Sequence, residues 1–253
     1  MTVNHKTLVW ITGASQGIGE AVALIMAQQG ITVAASARSA ERLQMLARQS
    51  ENLPGRIIPY PLDVTDPAAV KATVSRIEQD VGPIDQAILN AGTFIEWPAE
   101  QFTSDNVRVQ VELNLMGVCH CLEPLIAVMK DRGRGTIAIN ASLAGYRGLP
   151  RAAGYGASKA ALINMAESLH TELTALGIHI KLINPGFVQT PLTSKNRFPM
   201  PFLMAVEPAA QRIVNGMNSN PFEIRFPWMF AAFMGCLRHL PYSLYFWLVR
   251  KTR

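Results

Sequence analysis

Short apolar runs alternate along the chain with longer stretches in which apolar residues recur every three or four positions. The runs are 7–12 (TLVWIT), 31–37 (ITVAASA), 56–62 (RIIPYPL), 84–90 (IDQAILN), 135–141 (GTIAINA) and 178–184 (IHIKLIN). The stretches 18–29, 40–50, 67–81, 105–131 and 155–176 between them carry helix-compatible spacing and few breakers. Strand and helix in repeated alternation predict an α/β fold, a doubly wound parallel sheet with helices on both faces. Ligands of such a sheet sit beyond the carboxyl ends of the strands, where the strand order reverses.

Two segments break the pattern. Residues 186–206 set Pro191, Pro199 and Pro201 among Phe187, Leu192, Phe198, Met200, Phe202, Leu203 and Met204. That is too proline-broken for one long helix and too apolar for a solvated loop, and it predicts a flexible flap over a pocket. At the end of the chain, 226–237 (FPWMFAAFMGCL) and 240–249 (LPYSLYFWLV) are uncharged, separated by Arg238-His239 and followed by Arg250 to Arg253. Neither run reaches the ~18 residues of a spanning helix, and Pro241 breaks any joint helix. Three uses remain open for this tail: lying in a bilayer interface, packing on a neighbouring subunit, or roofing the active site.

Composition narrows the classes. A chain of 253 residues suits one α/β unit. With 49% hydrophobic and 16% charged residues, and a mean hydropathy of +0.15, it fills a large core and excludes disordered and fibrous classes. The net charge of +5 is scattered, without a basic block outside the last residues, so no nucleic-acid partner is expected. Three cysteines make no disulfide framework and point to a reducing, cytoplasmic location. In Cys119-His120-Cys121 neighbouring side chains diverge by ~100° on a helix and no second ligand pair lies nearby, so buried thiols and no metal are expected. The polar opening Met1 to Lys6 reads as no secretory signal.

The candidate chemistry falls at strand ends. The first strand runs into Thr12-Gly13-Ala14-Ser15-Gln16-Gly17-Ile18-Gly19 and then a helix. Glycines there allow a tight turn and close approach of a pyrophosphate to free N–H groups. The spacing G-x-x-x-G-x-G matches the generic dinucleotide fingerprint only in part. Where an acidic residue would bind an NAD ribose, the second strand ends in Arg38, which suits the 2′-phosphate of NADP(H). Tyr155 and Lys159, four apart on a helical stretch, share a face, and a neighbouring cation favours phenolate. Such a pair alone is more often structural, and Ser142 at a strand end is alone more often a cap.

Together these residues resemble one family. TGASQGIG at 12–19, Asp63-Val64, Asn90-Ala91-Gly92, Asn114, Ser142, Tyr155-x-x-x-Lys159 and Pro185-Gly186 stand in the order and spacing of short-chain dehydrogenases/reductases. The resemblance covers about residues 6–226. It implies a single Rossmann-like sheet of about seven strands in residues 1–225, with 226–253 as a helical extension. By the same resemblance Gly13, Ser15, Gln16, Gly17, Ile18 and Gly19 form the cofactor turn, Arg38 contacts the 2′-phosphate, and Asp63 and Val64 contact the adenine. Asn90, with Ala91 and Gly92, braces the central strand beside the cofactor. Pro185, Gly186, Val188 and Thr190 surround the nicotinamide carboxamide. Tyr155 becomes the general acid/base, Lys159 the ribose ligand that lowers its pKa, Ser142 the carbonyl-orienting group and Asn114 the holder of a relay water. A homo-oligomer, dimer or tetramer, pairing the helices of 105–131 and 155–176 is also implied. The apolar tail departs from the family and leaves membrane association open.

The expected function is therefore an NADPH-dependent carbonyl reductase, or an alcohol dehydrogenase in the reverse direction. The apolar flap and the segment 143–150 suit a lipophilic ketone, aldehyde or 3-oxoacyl group, including a thioester on an acidic carrier protein. The competing class is a non-catalytic NADP(H)-binding sensor or membrane-associated interaction protein, against which the intact Ser142, Tyr155 and Lys159 speak.

Overall fold

The computed structural model describes residues 7–196 and 198–250. The polar opening Met1–Lys6 and the basic end Lys251–Arg253 lie outside the described residues. In chain order the elements are β1 (Leu8–Thr12), α1 (Gly17–Gln28), β2 (Thr32–Ala37), α2 (Ala40–Gln49), β3 (Arg56–Pro61), α3 (Pro67–Asp80), β4 (Gln86–Leu89) and α4 (Ser104–Val111). There follow α5 (Gly117–Arg132), β5 (Gly135–Asn140), α6 (Ala153–Ala175), β6 (Ile178–Pro185), α7 (Val206–Met217), β7 (Glu223–Phe226), α8 (Trp228–His239) and α9 (Tyr242–Arg250).

All seven strands are parallel, in the order β3-β2-β1-β4-β5-β6-β7. β1 is buried along its whole length because both of its faces are covered. On one face α3, α5 and α6 close a core around Trp10, Ile84, Leu125 and Leu162. On the other, α1, α2 and α7 pack around Ile11, Met26, Leu43 and Ile213. The strand order reverses between β1 and β4, which leaves a crevice above their carboxyl ends.

The local signals that start the helices are visible. Ser39 Oγ accepts from the Arg42 amide at 3.3 Å and caps α2; Asp66 Oδ1 accepts from the Ala69 amide at 3.0 Å and, with Pro67, starts α3. α1 differs, since the Gln16 side chain makes no cap.

The expected helix over 105–131 is one helical run interrupted by a π-helical turn, Glu112–Met116. The run Ser104–Arg132 contains an 18-residue window with a mean hydropathy of 1.4, long and apolar enough to cross a bilayer by length and composition alone, but it packs Val118, Cys121, Leu122 and Leu125 into the core. Its cysteines diverge as expected, but only Cys121 is buried; Cys119 is half-buried, its Sγ 3.8 Å from Met165 Sδ, and His120 Nδ1 sits 3.0 Å from the Val64 carbonyl. The flap 186–206 is pinned at its ends, where the Gln189 amide donates to the Met204 carbonyl at 2.8 Å and the Met204 amide to the Phe187 carbonyl at 3.0 Å.

The tail folds onto the body. Phe230, Ala231, Met234 and Leu237 of α8 and Tyr245 of α9 form a third apolar cluster around Leu143. Arg147 clamps it, donating to the carbonyls of Arg238 at 3.1 Å and Leu240 at 3.2 Å, with its guanidinium 4.5 and 4.6 Å from the Tyr242 and Tyr245 ring centres.

Candidate active site

The crevice above β1 and β4 opens into a cleft of about 340 Å³. The turn after β1 forms its floor. Gly13 and Gly17 stand at φ +66° and +61°, where an L side chain is strained. A Cβ on Gly13 would lie 2.8 Å from the Cα of Ala91, and one on Gly19 only 2.4 Å from the Gly13 carbonyl. The glycines thus let the turn, the α1 start and the end of β4 approach one another. Asn90 ties them: its Nδ2 donates to the Thr12 and Gly13 carbonyls, both at 3.2 Å, and its Oδ1 accepts from Asn140 Nδ2 at 2.7 Å.

Of the sequence-predicted residues, the turn residues Gly13 to Ile18 named above line the cleft, with Gly19 just behind as packing. Arg38, Asp63 and Val64 form one end, Asn90, Ala91 and Gly92 the middle, and Pro185, Gly186, Val188 and Thr190 the far wall. Asp63 Oδ1 accepts from the Thr65 amide at 3.0 Å and from Thr65 Oγ1 at 2.8 Å. Those bonds, with help from Arg38, hold the carboxyl below its ordinary pKa against the opposing effect of burial.

Ser142, Tyr155 and Lys159 meet at the far end. Ser142 is set by Asn184, whose Oδ1 accepts from the Ser142 amide at 3.1 Å. Asn184 Nδ2 in turn donates to Glu223 Oε1 at 2.7 Å, and the Tyr146 hydroxyl donates to the same oxygen. Burial pushes the Tyr155 phenol above its ordinary value, and a hydrogen bond with Ser142 opposes the shift in part. Lys159 is 4% exposed, and burial draws its pKa down to about 7. Its Nζ donates to the Asn140 carbonyl at 2.6 Å and lies 5.7 Å from the Tyr155 ring centre.

Asn114 stands apart from the cleft wall. It is fully buried in the π turn, where Nδ2 donates to the Thr93 carbonyl at 3.0 Å and to Ser158 Oγ at 3.1 Å, and Oδ1 accepts from the Thr93 amide at 2.7 Å. It fixes the strand end that carries Gly92, whose Cβ position lies 3.2 Å from Asn114 Oδ1.

Sequence reasoning missed several groups of the site. Arg42, one turn into α2, joins Arg38 and donates from Nη1 to Gln16 Oε1 at 2.5 Å; a second cation four residues after Arg38 was the available signal. Asn140 lines the cleft, and its Oδ1 is buried without a partner among the described residues, an acceptor left for a ligand. Phe94 packs edge-on against Tyr155 with ring centres 5.1 Å apart, and nothing in its sequence context marks it.

These residues fit a phosphorylated dinucleotide. A glycine turn before an uncapped helix start accepts a pyrophosphate, two guanidiniums stand where an added phosphate would lie, and an unsatisfied amide oxygen waits near the buried lysine.

The comparisons with known proteins agree with this geometry. The family model described as short chain dehydrogenase matches residues 7–199. An uncharacterised oxidoreductase of Myxococcus xanthus is 34% identical over 251 residues, covering 99% of each chain. The 3-oxoacyl-[acyl-carrier-protein] reductase FabG of Thermotoga maritima is 35% identical and covers 85% of each chain. Among solved structures, ElxO with NADP bound superposes with a TM-score of 0.77 at 25% identity, covering 87% of this chain and 98% of that one. An alcohol dehydrogenase of Thermococcus sibiricus, at 24% identity and a TM-score of 0.80, shares the fold over 88% of this chain and 96% of its own.

Proposed function

Since the chain belongs to the short-chain dehydrogenases, a family of oxidoreductases, we propose that it is an NADPH-dependent reductase of lipophilic carbonyl compounds. The observation that carries the proposal is the junction of three groups in one cleft: a half-buried phenol hydrogen-bonded to Ser142, with the Lys159 ammonium beside it. NADPH, when bound, supplies the hydride for the carbonyl carbon.

Each residue then has a task. Tyr155, its pKa raised by burial, stays protonated at neutral pH and gives its proton to the carbonyl oxygen as that oxygen gains charge. Ser142, held by Asn184, donates to the same oxygen. Lys159 would hold the ribose hydroxyls, and ligand oxygens in its dry pocket restore the charge that burial opposes. Asn114 supports the wall from behind and would carry a relay water. Arg38 and Arg42 would hold the 2′-phosphate, which supports NADPH over NADH, and the ElxO structure carries NADP. Gly13 to Ile18 would hold the pyrophosphate, Asp63 and Val64 the adenosine, and Pro185 to Thr190 the carboxamide.

The substrate end supports an apolar carbonyl. From Tyr155 a file of rings runs edge to face through Phe94, Phe198 and Phe187, at centre distances of 5.1, 6.4 and 5.9 Å for successive pairs. A 3-oxoacyl group is one such substrate, in keeping with the acyl-carrier and ketoacyl reductases among the relatives. The free thiols Cys119, Cys121 and Cys236 suit a reducing compartment, and exposed Val109 and Met116 beside α5 suit a homo-oligomer. The main catalytic unit is 1–225, with the tail as an extension.

The Tyr155→Phe variant tests the proposal. It should bind NADPH within about two-fold of the parent by fluorescence titration and lose turnover by roughly 10²–10⁴-fold. Wild-type turnover in this variant would overturn the reductase reading. Tight NADPH binding by the parent with no turnover of any carbonyl would favour a cofactor-sensing module instead.

A further inference from the structure

The outward side of the tail is unlike the rest of the surface. Most of the exposed large apolar side chains among the described residues lie on α8, α9 and the flap tip. Trp228 is 68% exposed, Phe233 54% and Phe246 52%, and Phe202 and Leu203 of the flap are exposed as well. Phe202 is held at φ +59°, a left-handed conformation that a bulky L residue disfavours, and it still presents its ring outward. The inner side of the tail is already committed to Leu143 and Arg147, so this aromatic face is fixed in place.

Charge selects the occupant. Residues 226–253 contain no Asp or Glu, and Arg238, Arg250, Lys251 and Arg253 flank the apolar runs. A second copy of this segment meeting it around a two-fold axis brings net positive charge to net positive charge. A segment with four cations and no acidic residue suits an anionic bilayer, which receives Trp, Tyr and Phe at its interfacial depth. The two helices, of 12 and 9 residues, are too short to span and lie at the surface.

The face is also continuous with the cleft. Successive ring centres run from Phe202 to Phe230 at 6.1 Å, Phe230 to Phe187 at 5.5 Å, Phe187 to Phe198 at 5.9 Å, Phe198 to Phe94 at 6.4 Å and Phe94 to Tyr155 at 5.1 Å.

We infer that the outer face of α8 and α9, with the flap tip, docks on an anionic membrane surface and draws its lipophilic carbonyl substrate from the bilayer along this file of rings. The delivery half rests on the reductase reading above; the docking half does not.

The test uses the full-length chain with vesicles of phosphatidylcholine alone or with phosphatidylserine added. Co-sedimentation should be strong only on the anionic vesicles and fall with added salt. Each cation near such a surface adds roughly five-fold to the partition coefficient. The variant Trp228→Gln/Phe233→Gln/Phe246→Gln changes only exposed positions and should keep the parent's circular dichroism and NADPH affinity. It should bind anionic vesicles at least ten-fold more weakly. Its turnover of a long-chain methyl ketone carried in the vesicles should drop by a similar factor, while a short water-soluble ketone is reduced at the parent's rate. Absent or variant-insensitive vesicle binding overturns the docking. A parent dimer in solution that the variant dissociates also overturns it, because the face is then a subunit contact. Vesicle binding with no turnover of either ketone leaves the docking standing and sinks the reductase reading instead.

Discussion

Lys159 is the least favourably placed cation of the cleft. Its ordinary pKa of 10.5 falls to about 7 in the fold, so between those values the unfolded chain binds one more proton than the folded one. Stability from this group therefore rises with pH from about 7 to about 10.5 and is lost as pH falls back through that window. In urea titrations without cofactor, Lys159→Met should remove a slope of up to ~1.4 kcal/mol per pH unit and be the more stable protein at pH 7. Equal pH slopes in the two proteins would contradict the burial. Arg38 and Arg42 act at the other end. A charge-assisted hydrogen bond contributes ~1.5–3 kcal/mol, so Arg38→Ala and Arg42→Ala should each raise the KM for NADPH roughly ten- to a hundred-fold and leave that for NADH little changed. Parallel losses with both cofactors would mean that the arginines hold something other than the added phosphate. Tyr155, Lys159 and Arg38 were legible because their spacing from strand ends has chemical meaning. Arg42 and Asn140, which line the cleft, and Phe94, which packs on Tyr155, were not, because each reaches the site only when separate strand ends converge.

At the scale of elements, the turn from β1 to α1 is the least tolerant piece. A Cβ at residue 19 would sit 2.4 Å from a backbone oxygen, which cannot move without displacing the turn. Gly19→Ala should weaken NADPH binding at least ten-fold in a fluorescence titration, and unchanged affinity would contradict the role given to this turn. The other elements show where sequence patterns suffice. Strands β1 to β6 were readable as apolar runs between helical stretches, since a strand buried on both faces has few polar positions to confuse the pattern. β7 was not: its four residues EIRF carry two charges, and Glu223 is there to serve Asn184 and Tyr146. The π turn was equally hidden, because its cause is tertiary, the burial of Asn114 against Thr93 and Ser158. The flap is better tied than its prolines suggested, through backbone bonds between residues far apart in sequence.

For the whole molecule, the tail turns a dinucleotide-binding sheet into a cleft with an apolar wall. The two apolar runs were plain in the sequence, but being apolar on most sides they did not say which face would turn inward. Arg147, some ninety residues earlier, decides this by capturing the carbonyls of Arg238 and Leu240. Phe230 then reaches the cleft wall, where its ring meets Phe187 at 5.5 Å and crowds Gly186. A reductase built this way should prefer substrates with long apolar arms, each buried CH₂ adding ~0.8 kcal/mol until the wall is filled. The most direct test is NADPH oxidation by the full-length protein across ketones and aldehydes of graded chain length, repeated with NADH. With NADPH, kcat/KM should climb with apolar length, and NADH should not support it. A flat profile, an NADH preference, or no oxidation with any carbonyl would contradict the reductase reading.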